Sequence, residues 1–267
     1  MAIKLAAIDL DGTLLRDDMT VSEYTREIVG RVAERGIRIV VATGRMFDSA
    51  RAKAQLLGLP DMPVICYTGA WAGMSESGKL LWKDGLSKET AWKILADGKA
   101  RGWLMQSYID DDIFLAEESP LEPMCRKFRA KQAKFIGDAF YTPAEGPTRI
   151  IIIEPDETKR DEIRAYLETK YGEDCEMVHP GDFFLDIHKR GVSKANALAH
   201  LAKEWGIEAD EMVSFGNTEN DVSMLSFTGL SFAVGNAEAP AKKAAKEILA
   251  RTNNEDAVAH QLEKMFL

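Results

Sequence analysis

Two aspartates two positions apart, Asp9 and Asp11, follow the apolar run Leu5-Ala6-Ala7-Ile8 and lead into Gly12-Thr13. Such a run suggests a strand buried on both faces of a parallel sheet. Ligands of these sheets gather beyond the carboxyl ends of the strands, where Asp9 and Asp11 fall. Gly12 allows the backbone to turn sharply there. A deprotonated aspartate can attack phosphorus and form an aspartyl-phosphate, which suits Asp9. Asp11 would protonate the leaving alcohol and later deprotonate water, its proton affinity raised by the anionic neighbours. The plain alternative is a solvated turn after a strand, since Asp and Gly are ordinary turn residues.

Three further segments weigh against that alternative: Thr43-Gly44-Arg45, Ser193-Lys194, and Gly216 through Asp221. Together the four hold carboxylates, a hydroxyl and a lysine each read at a helix start, and a second polar and acidic cluster. A phosphate monoester with a magnesium ion requires this inventory. Magnesium takes oxygen ligands and keeps waters, so a few carboxylates and carbonyls suffice. Phosphoryl transfer asks mainly for in-line positioning and neutralised oxygen charge. Thr43, with the amides of the helix it is expected to begin, and Lys194 could supply that neutralisation. A lysine at a helix N-terminus opposes the dipole, which favours an anionic ligand over a merely exposed side chain. Arg45 reads equally as substrate-facing or as one half of an ion pair.

These segments must be positioned by strands and helices. Thr20-Val21-Ser22-Glu23 fits a capping box before a helix carrying Tyr24, Ile28 and Val32, which Gly36 stops. Strands are expected at 37–43 and 63–69, with a helix from Met46 to Leu57 closed by Gly58 between them. This alternation predicts a Rossmann-like, doubly wound parallel sheet, an α/β core. It then stops. A hairpin spans Ala70 to Lys83, and a mixture of helices (87–101, 158–171) and strands (103–108, 113–116, 149–154, 183–187) follows, the pattern of an inserted α+β domain. The parallel pattern resumes with a helix whose Leu198, Leu201, Ala202 and Trp205 form one apolar face. Strands at 212–215 and 230–234, a helix over 239–248 and a last helix over 254–267 complete the core. The expected division is a core of 1–82 and 186–267 with an inserted cap of 83–185. The run Asp110-Asp111-Asp112 reads as a turn between cap strands, and Trp71, Trp82, Trp92, Trp103 and Tyr108 as packing residues.

Composition narrows the classes. The 267 residues are 46% hydrophobic and 29% charged, with a net charge of −9. This describes a soluble globular protein with no electrostatic footprint for nucleic acid or anionic membrane, although a local positive pocket is allowed. Cys66, Cys125 and Cys175 lie far apart without a paired spacing, and read as reduced thiols. Asp9 and Asp11 stand where a signal peptide would need its apolar segment, so the expected location is the cytoplasm.

Asp-x-Asp-Gly-Thr, Thr-Gly-Arg, the lysine of Gly-Val-Ser-Lys and Gly-Asn-x-x-Asn-Asp, in this order, resemble the haloacid dehalogenase-like superfamily. The cap placed after the third strand makes the chain similar to the Cof-like sugar-phosphatase branch, and Gly235-Asn236-Ala237 extends the match nearly to the C-terminus. The resemblance implies Asp9 as nucleophile and magnesium ligand, and Asp11 as acid/base lending its backbone carbonyl to the metal. It further implies Thr43, Gly44 and Lys194 around the transferring phosphoryl group, Asn220 as a phosphate-side contact, and Asp221 in the acidic metal cluster. The implied partner is a small phosphorylated metabolite, held under a cap that excludes water and selects the leaving group. Alternatives are a phosphomutase, revealed by bisphosphate-dependent isomerisation, and a catalytically weak ligand-binding relative, revealed by slow p-nitrophenyl phosphate cleavage in excess magnesium.

Two positions depart from the family pattern. Thr68 stands before Gly69-Ala70 where relatives often have Asn. More importantly, Asn217 stands where the family usually has an aspartate that binds metal directly. An amide oxygen can coordinate but brings no negative charge. Magnesium should therefore bind more weakly than it does to Asn217→Asp, in which half-maximal activation should need less metal. Identical magnesium activation curves for the two proteins would refute this.

Overall fold

The computed structural model describes residues 2–121, 131–181 and 183–267. It contains two compact units, residues 1–82 with 193–267 and residues 83–192.

In the first unit the opening elements are β1 (Leu5–Ile8), α1 (Glu23–Glu34), β2 (Arg38–Ala42), α2 (Phe47–Ala54), β3 (Pro63–Cys66), β4 (Trp71–Met74) and β5 (Leu80–Lys83). The second unit holds α3 (Lys88–Arg101), β6 (Leu104–Ile109), β7 (Asp112–Leu115), β8 (Lys134–Phe135), β9 (Arg149–Ile153), α4 (Glu157–Tyr171), β10 (Cys175–Gly181) and β11 (Phe184–Lys189). The first unit then resumes with α5 (Lys194–Glu204), β12 (Met212–Gly216), α6 (Val222–Phe227), β13 (Leu230–Ala233), α7 (Ala239–Ala244), β14 (Glu247–Ile248) and α8 (Ala257–Phe266).

Among the described residues the core sheet runs β14-β13-β12-β1-β2-β3-β4-β5, parallel from β14 to β3 and antiparallel from β3 to β4. From β1 the chain winds outward to β3 on one side and, after the insertion, returns on the other side at β12. The winding thus reverses between β1 and β12, the place where α/β sheets open a crevice for ligands. Register is set by apolar pairs, with Ile8 opposite Val41 on one side and Phe215 on the other. Leu198, Leu201 and Ala202 are buried against Leu5, Val40 and Ile65, and Trp205 packs at the margin, as the helical spacing requires. The fold is the expected α/β doubly wound core with an inserted α+β domain.

Several local expectations change. Ser22, not Thr20, caps α1 by accepting from the Thr25 N–H at 2.9 Å, because Thr20 is taken by Asp18 in the preceding turn. The helix expected over 239–248 stops at Ala244, and Glu247 and Ile248 pair with Phe232 and Ala233 as an edge strand. The last helix starts at Ala257, after a short turn capped by Thr252 and Glu255. The return to the core lies at Ser193 rather than 186, because β11 continues through Lys189 and pairs with both β9 and β10.

The inserted unit is a sheet ordered β10-β11-β9-β6-β7-β8, and Ile94 and Leu95 of α3 and Ile163 and Leu167 of α4 share an apolar layer with its Ile150, Ile152, Leu185 and Ile187. Asp110 and Asp111 take positive φ in the turn between β6 and β7, as expected of that acidic run. Cys66 and Cys175 are buried and not joined in a disulfide, and Cys125 lies outside the described residues. No helix among the described residues is long and apolar enough to cross a membrane.

One carboxylate ties the two helices of this unit together. Asp97 Oδ2 on α3 accepts from Tyr166 Oη at 2.9 Å, Lys170 Nζ at 2.6 Å and Tyr171 Oη at 2.6 Å, all on α4. Burial alone would raise its pKa, but these donors outweigh burial and hold it below the ordinary value. A carboxyl lowered on folding stabilises fully above its unfolded pKa, and that stability disappears as pH falls through the folded value. Asp97→Asn should therefore melt below the parent at pH 7, and the two melting temperatures should converge toward pH 3. A constant separation would remove Asp97 from this role.

Candidate active site

Asp9 follows β1 directly and is tied into the sheet by its N–H, which donates to the Phe215 carbonyl at 3.0 Å. Lys194 is the first residue of α5, and Ser193 caps that helix by accepting from the Asn196 N–H. The helix start sits tightly against the loop after β3: a methyl group at Gly69 would overlap the Ser193 carbonyl, and Gly69 has φ 114°. Only a residue without Cβ satisfies both demands.

That approach buries Lys194 completely, and its Nζ donates to Asp9 Oδ1 at 2.7 Å and to Asp221 Oδ1 at 2.6 Å. Asp221 is equally buried, and its other oxygen accepts from the N–H groups of Asn217 at 2.9 Å and Thr218 at 3.0 Å. Both Asp221 oxygens are therefore engaged, one by the lysine and one by the turn after β12. Burial, then the Asp221 charge, pushes the Asp9 carboxyl up to about 7, against the pull of Lys194 and Thr13. Burial works to lower the Lys194 pKa, but the two carboxylates outweigh it and keep the ammonium charged.

The remaining expected residues fall around this trio. Arg45 grips Asp11 with two parallel hydrogen bonds, Nε to Oδ2 at 2.7 Å and Nη2 to Oδ1 at 2.5 Å, and donates from Nη1 to Ser49. The ion-pair reading of Arg45 is the one realised here. Thr13 donates its hydroxyl to Asn217 Oδ1 at 3.0 Å, so the amide at 217 is joined to the loop that follows β1. Thr43 is buried after β2, and its hydroxyl accepts from the Arg45 N–H at 3.3 Å. Thr43 does not begin a helix: α2 starts at Phe47 with Met46 as its cap. Backbone groups of this turn are instead used by the end of β3, Thr43 N–H with Ile65, Thr68 N–H with Thr43 and Tyr67 N–H with Arg45. Gly44 faces the Thr68 hydroxyl and the Asn220 amide, which a Cβ there would approach to 3.4 and 3.5 Å. Asn220 is exposed and accepts from Thr218.

Sequence reasoning did not single out two side chains. Thr13 is legible only as part of a motif, although its hydroxyl donates to Asn217 and its nearness to Asp9 works to lower that carboxyl's pKa. Asn236 is legible only as part of Gly235-Asn236-Ala237, although its Nδ2 donates to the Gly12 carbonyl. A polar residue two positions beyond the apolar run Leu230–Val234 is the available signal for Asn236.

The donor chemistry fits a hard divalent cation. Buried Asp9 and Asp221 share the Lys194 ammonium, and the Asp221 charge works against the Asp9 carboxylate, a repulsion that a cation would relieve. Among the described residues no three His, Cys, Asp or Glu side chains form a closed metal cage. Magnesium does not need one, since one or two carboxylates with carbonyls, waters and phosphate oxygens suffice.

Removing the central cation should be costly. Lys194→Met leaves two carboxylates buried together, and loss of one partner from a buried ion pair costs about 3–5 kcal/mol. Urea unfolding of the metal-free protein should show a loss of that order, and an unchanged midpoint would contradict the trio.

The family model for haloacid dehalogenase-like hydrolases matches residues 6–262. The chain is 28% identical over 268 residues to the 5-amino-6-(5-phospho-D-ribitylamino)uracil phosphatase YitU of Bacillus subtilis, covering 98% of this chain and 97% of that protein. It is 29% identical over 283 residues to YbjI of Escherichia coli, a phosphatase of the same name, covering 100% and 97%. A haloacid dehalogenase-like hydrolase from Bacteroides thetaiotaomicron superposes with a TM-score of 0.86 at 26% identity, covering 99% of this chain and 100% of that one. The chain belongs to the haloacid dehalogenase-like hydrolases, and is one of their phosphatases.

Proposed function

We propose that the protein is a magnesium-dependent phosphatase that hydrolyses small phosphorylated metabolites, sugar phosphates among them, through an aspartyl-phosphate on Asp9. The observation that carries this reading is the buried Asp9 carboxylate at the end of β1, held by Lys194 at the point where the winding of the sheet reverses.

Asp9 attacks phosphorus in line with the leaving oxygen, and the bond from phosphorus to that oxygen breaks. The departing alcohol takes a proton from Asp11. Water then gives its proton back to Asp11 and attacks the same phosphorus, releasing phosphate and restoring the Asp9 carboxylate. Lys194 stops the Asp9 carboxylate from rotating and opposes charge on the transferring group, together with the Thr43 hydroxyl, the Gly44 N–H and the Asn220 amide. Asp9, the Asp11 carbonyl and the Asn217 amide oxygen are the groups that would hold magnesium, with Asp221 adding negative charge behind them. The ion itself supplies neutralisation of phosphate oxygens and keeps Asp9 deprotonated. Arg45 holds Asp11 until an anionic substrate offers the guanidinium a competing partner. Two relatives named for a phosphoribityl compound support a phosphate carried on a polyhydroxylated chain.

Asp9→Asn, freshly purified and checked for deamidation, should cleave p-nitrophenyl phosphate at least about a thousandfold more slowly than the parent, the scale seen when a nucleophile is removed. Acid quenching of the parent during turnover should trap phosphate on Asp9. Cleavage by the variant at the parental rate would overturn the reading. A panel of phosphorylated sugars, nucleotides and cofactors would then rank substrates.

A further inference from the structure

Asn236 stands between β13 and α7, and both polar atoms of its side chain are used. Nδ2 donates to the Gly12 carbonyl at 2.8 Å, and Oδ1 accepts from the Asn253 N–H at 3.0 Å. Gly12 is the left-handed residue of the turn between Asp11 and Thr13, with φ 72°. Having no side chain, glycine restricts its own backbone least of all residues, so the peptide at this turn needs partners to keep one orientation. It has two. The Gly12 carbonyl is held by Asn236, and the Thr13 N–H donates to the Leu10 carbonyl at 3.3 Å.

The far end of this support is firm. Asn253 is buried, and its Nδ2 donates to the Leu15 carbonyl and to Asp17 Oδ1, both at 2.9 Å. Asn254 Nδ2 reaches the other Asp17 oxygen at 2.8 Å. A line of amides thus runs from the turn before α8, through Asn236, to the middle of the loop carrying Asp9, Asp11 and Thr13. Asn236 is itself exposed, so it adds little to the core and its loss should leave folding nearly intact.

We infer that Asn236 is a positioning residue for the reaction: its amide sets the Gly12 peptide and thereby the aim of Asp11 toward the leaving oxygen. It touches no reacting atom. The inference rests on Asp11 acting as the proton donor of the proposed phosphatase mechanism.

The test compares kcat/KM for a simple alkyl phosphate with kcat/KM for p-nitrophenyl phosphate. Both values report steps up to departure of the leaving group. An alkoxide needs a proton to leave, whereas p-nitrophenolate does not. In Asn236→Ala the alkyl value should fall about tenfold to a hundredfold, as small misplacements of a catalytic group do, with the p-nitrophenyl value changing by less than about threefold. Asn236→Asp keeps the acceptor for the Asn253 N–H but cannot donate to Gly12, and should show the same selective loss. Melting temperatures of both variants should stay within about 2 °C of the parent, as for other exposed positions. Equal losses on the two substrates, no loss on either, or parental behaviour of Asn236→Asp would each overturn the inference. Asp9→Asn, assayed alongside, separates the cases: if it retains activity the phosphatase mechanism fails, and if it is inactive while the Asn236 variants fail to discriminate, only the role of Asn236 fails.

Discussion

A lysine with no exposed surface, holding one carboxylate on each side, sets the terms for the rest of the core. Each of these three charges would be expensive to remove from water alone, and they are tolerable only together and in good geometry. Asp9 comes from the end of β1, Asp221 from the turn after β12 and Lys194 from the first residue of α5. None of the three can shift without leaving a buried charge unmatched. The neighbouring parallel strands, the tight passage of Gly69 past Ser193 and the apolar face of α5 therefore act as parts of one constraint.

Around that fixed trio the other polar groups are graded by exposure. Thr13 and Asn217 are nearly buried and join the loop after β1 to the turn after β12. Asp11 and Arg45 lie nearer solvent, with the Asp11 side chain 43% exposed, in an ion pair that water screens. This gradient suits the division of labour: the attacking carboxylate belongs to the rigid interior, and the groups that must exchange partners lie outside it.

Much of this was legible in the sequence because it depends on local pattern. β1 is an uninterrupted apolar run, β2 is one after Arg38 and β12 is apolar but for Ser214, and the face of α5 follows helical spacing. Polar residues that interrupt such runs at their carboxyl ends announce the site. What stayed hidden depends on distant partners. Glu247 and Ile248 form a strand only because β13 lies beside them, and in isolation they continue a helical pattern. The return boundary moved because β11 finds hydrogen-bond partners on both sides. Whether Arg45 faces substrate or Asp11, and that Asp221 spends its oxygens on Lys194 and two amides, follow from three-dimensional proximity that spacing does not encode.

The trio also spans the chain: 185 residues separate Asp9 from Lys194. During synthesis from the N-terminus, β1 to β3 leave the ribosome long before α5 and β12 exist. Until then Asp9 has no buried cation beside it, and one flank of β1 has no neighbouring strand. The inserted unit, whose residues are contiguous, can collapse first by short-range closure, while the two halves of the enclosing sheet meet only when the last third of the polypeptide arrives. The centre of the site is thus the product of a late, long-range step in folding.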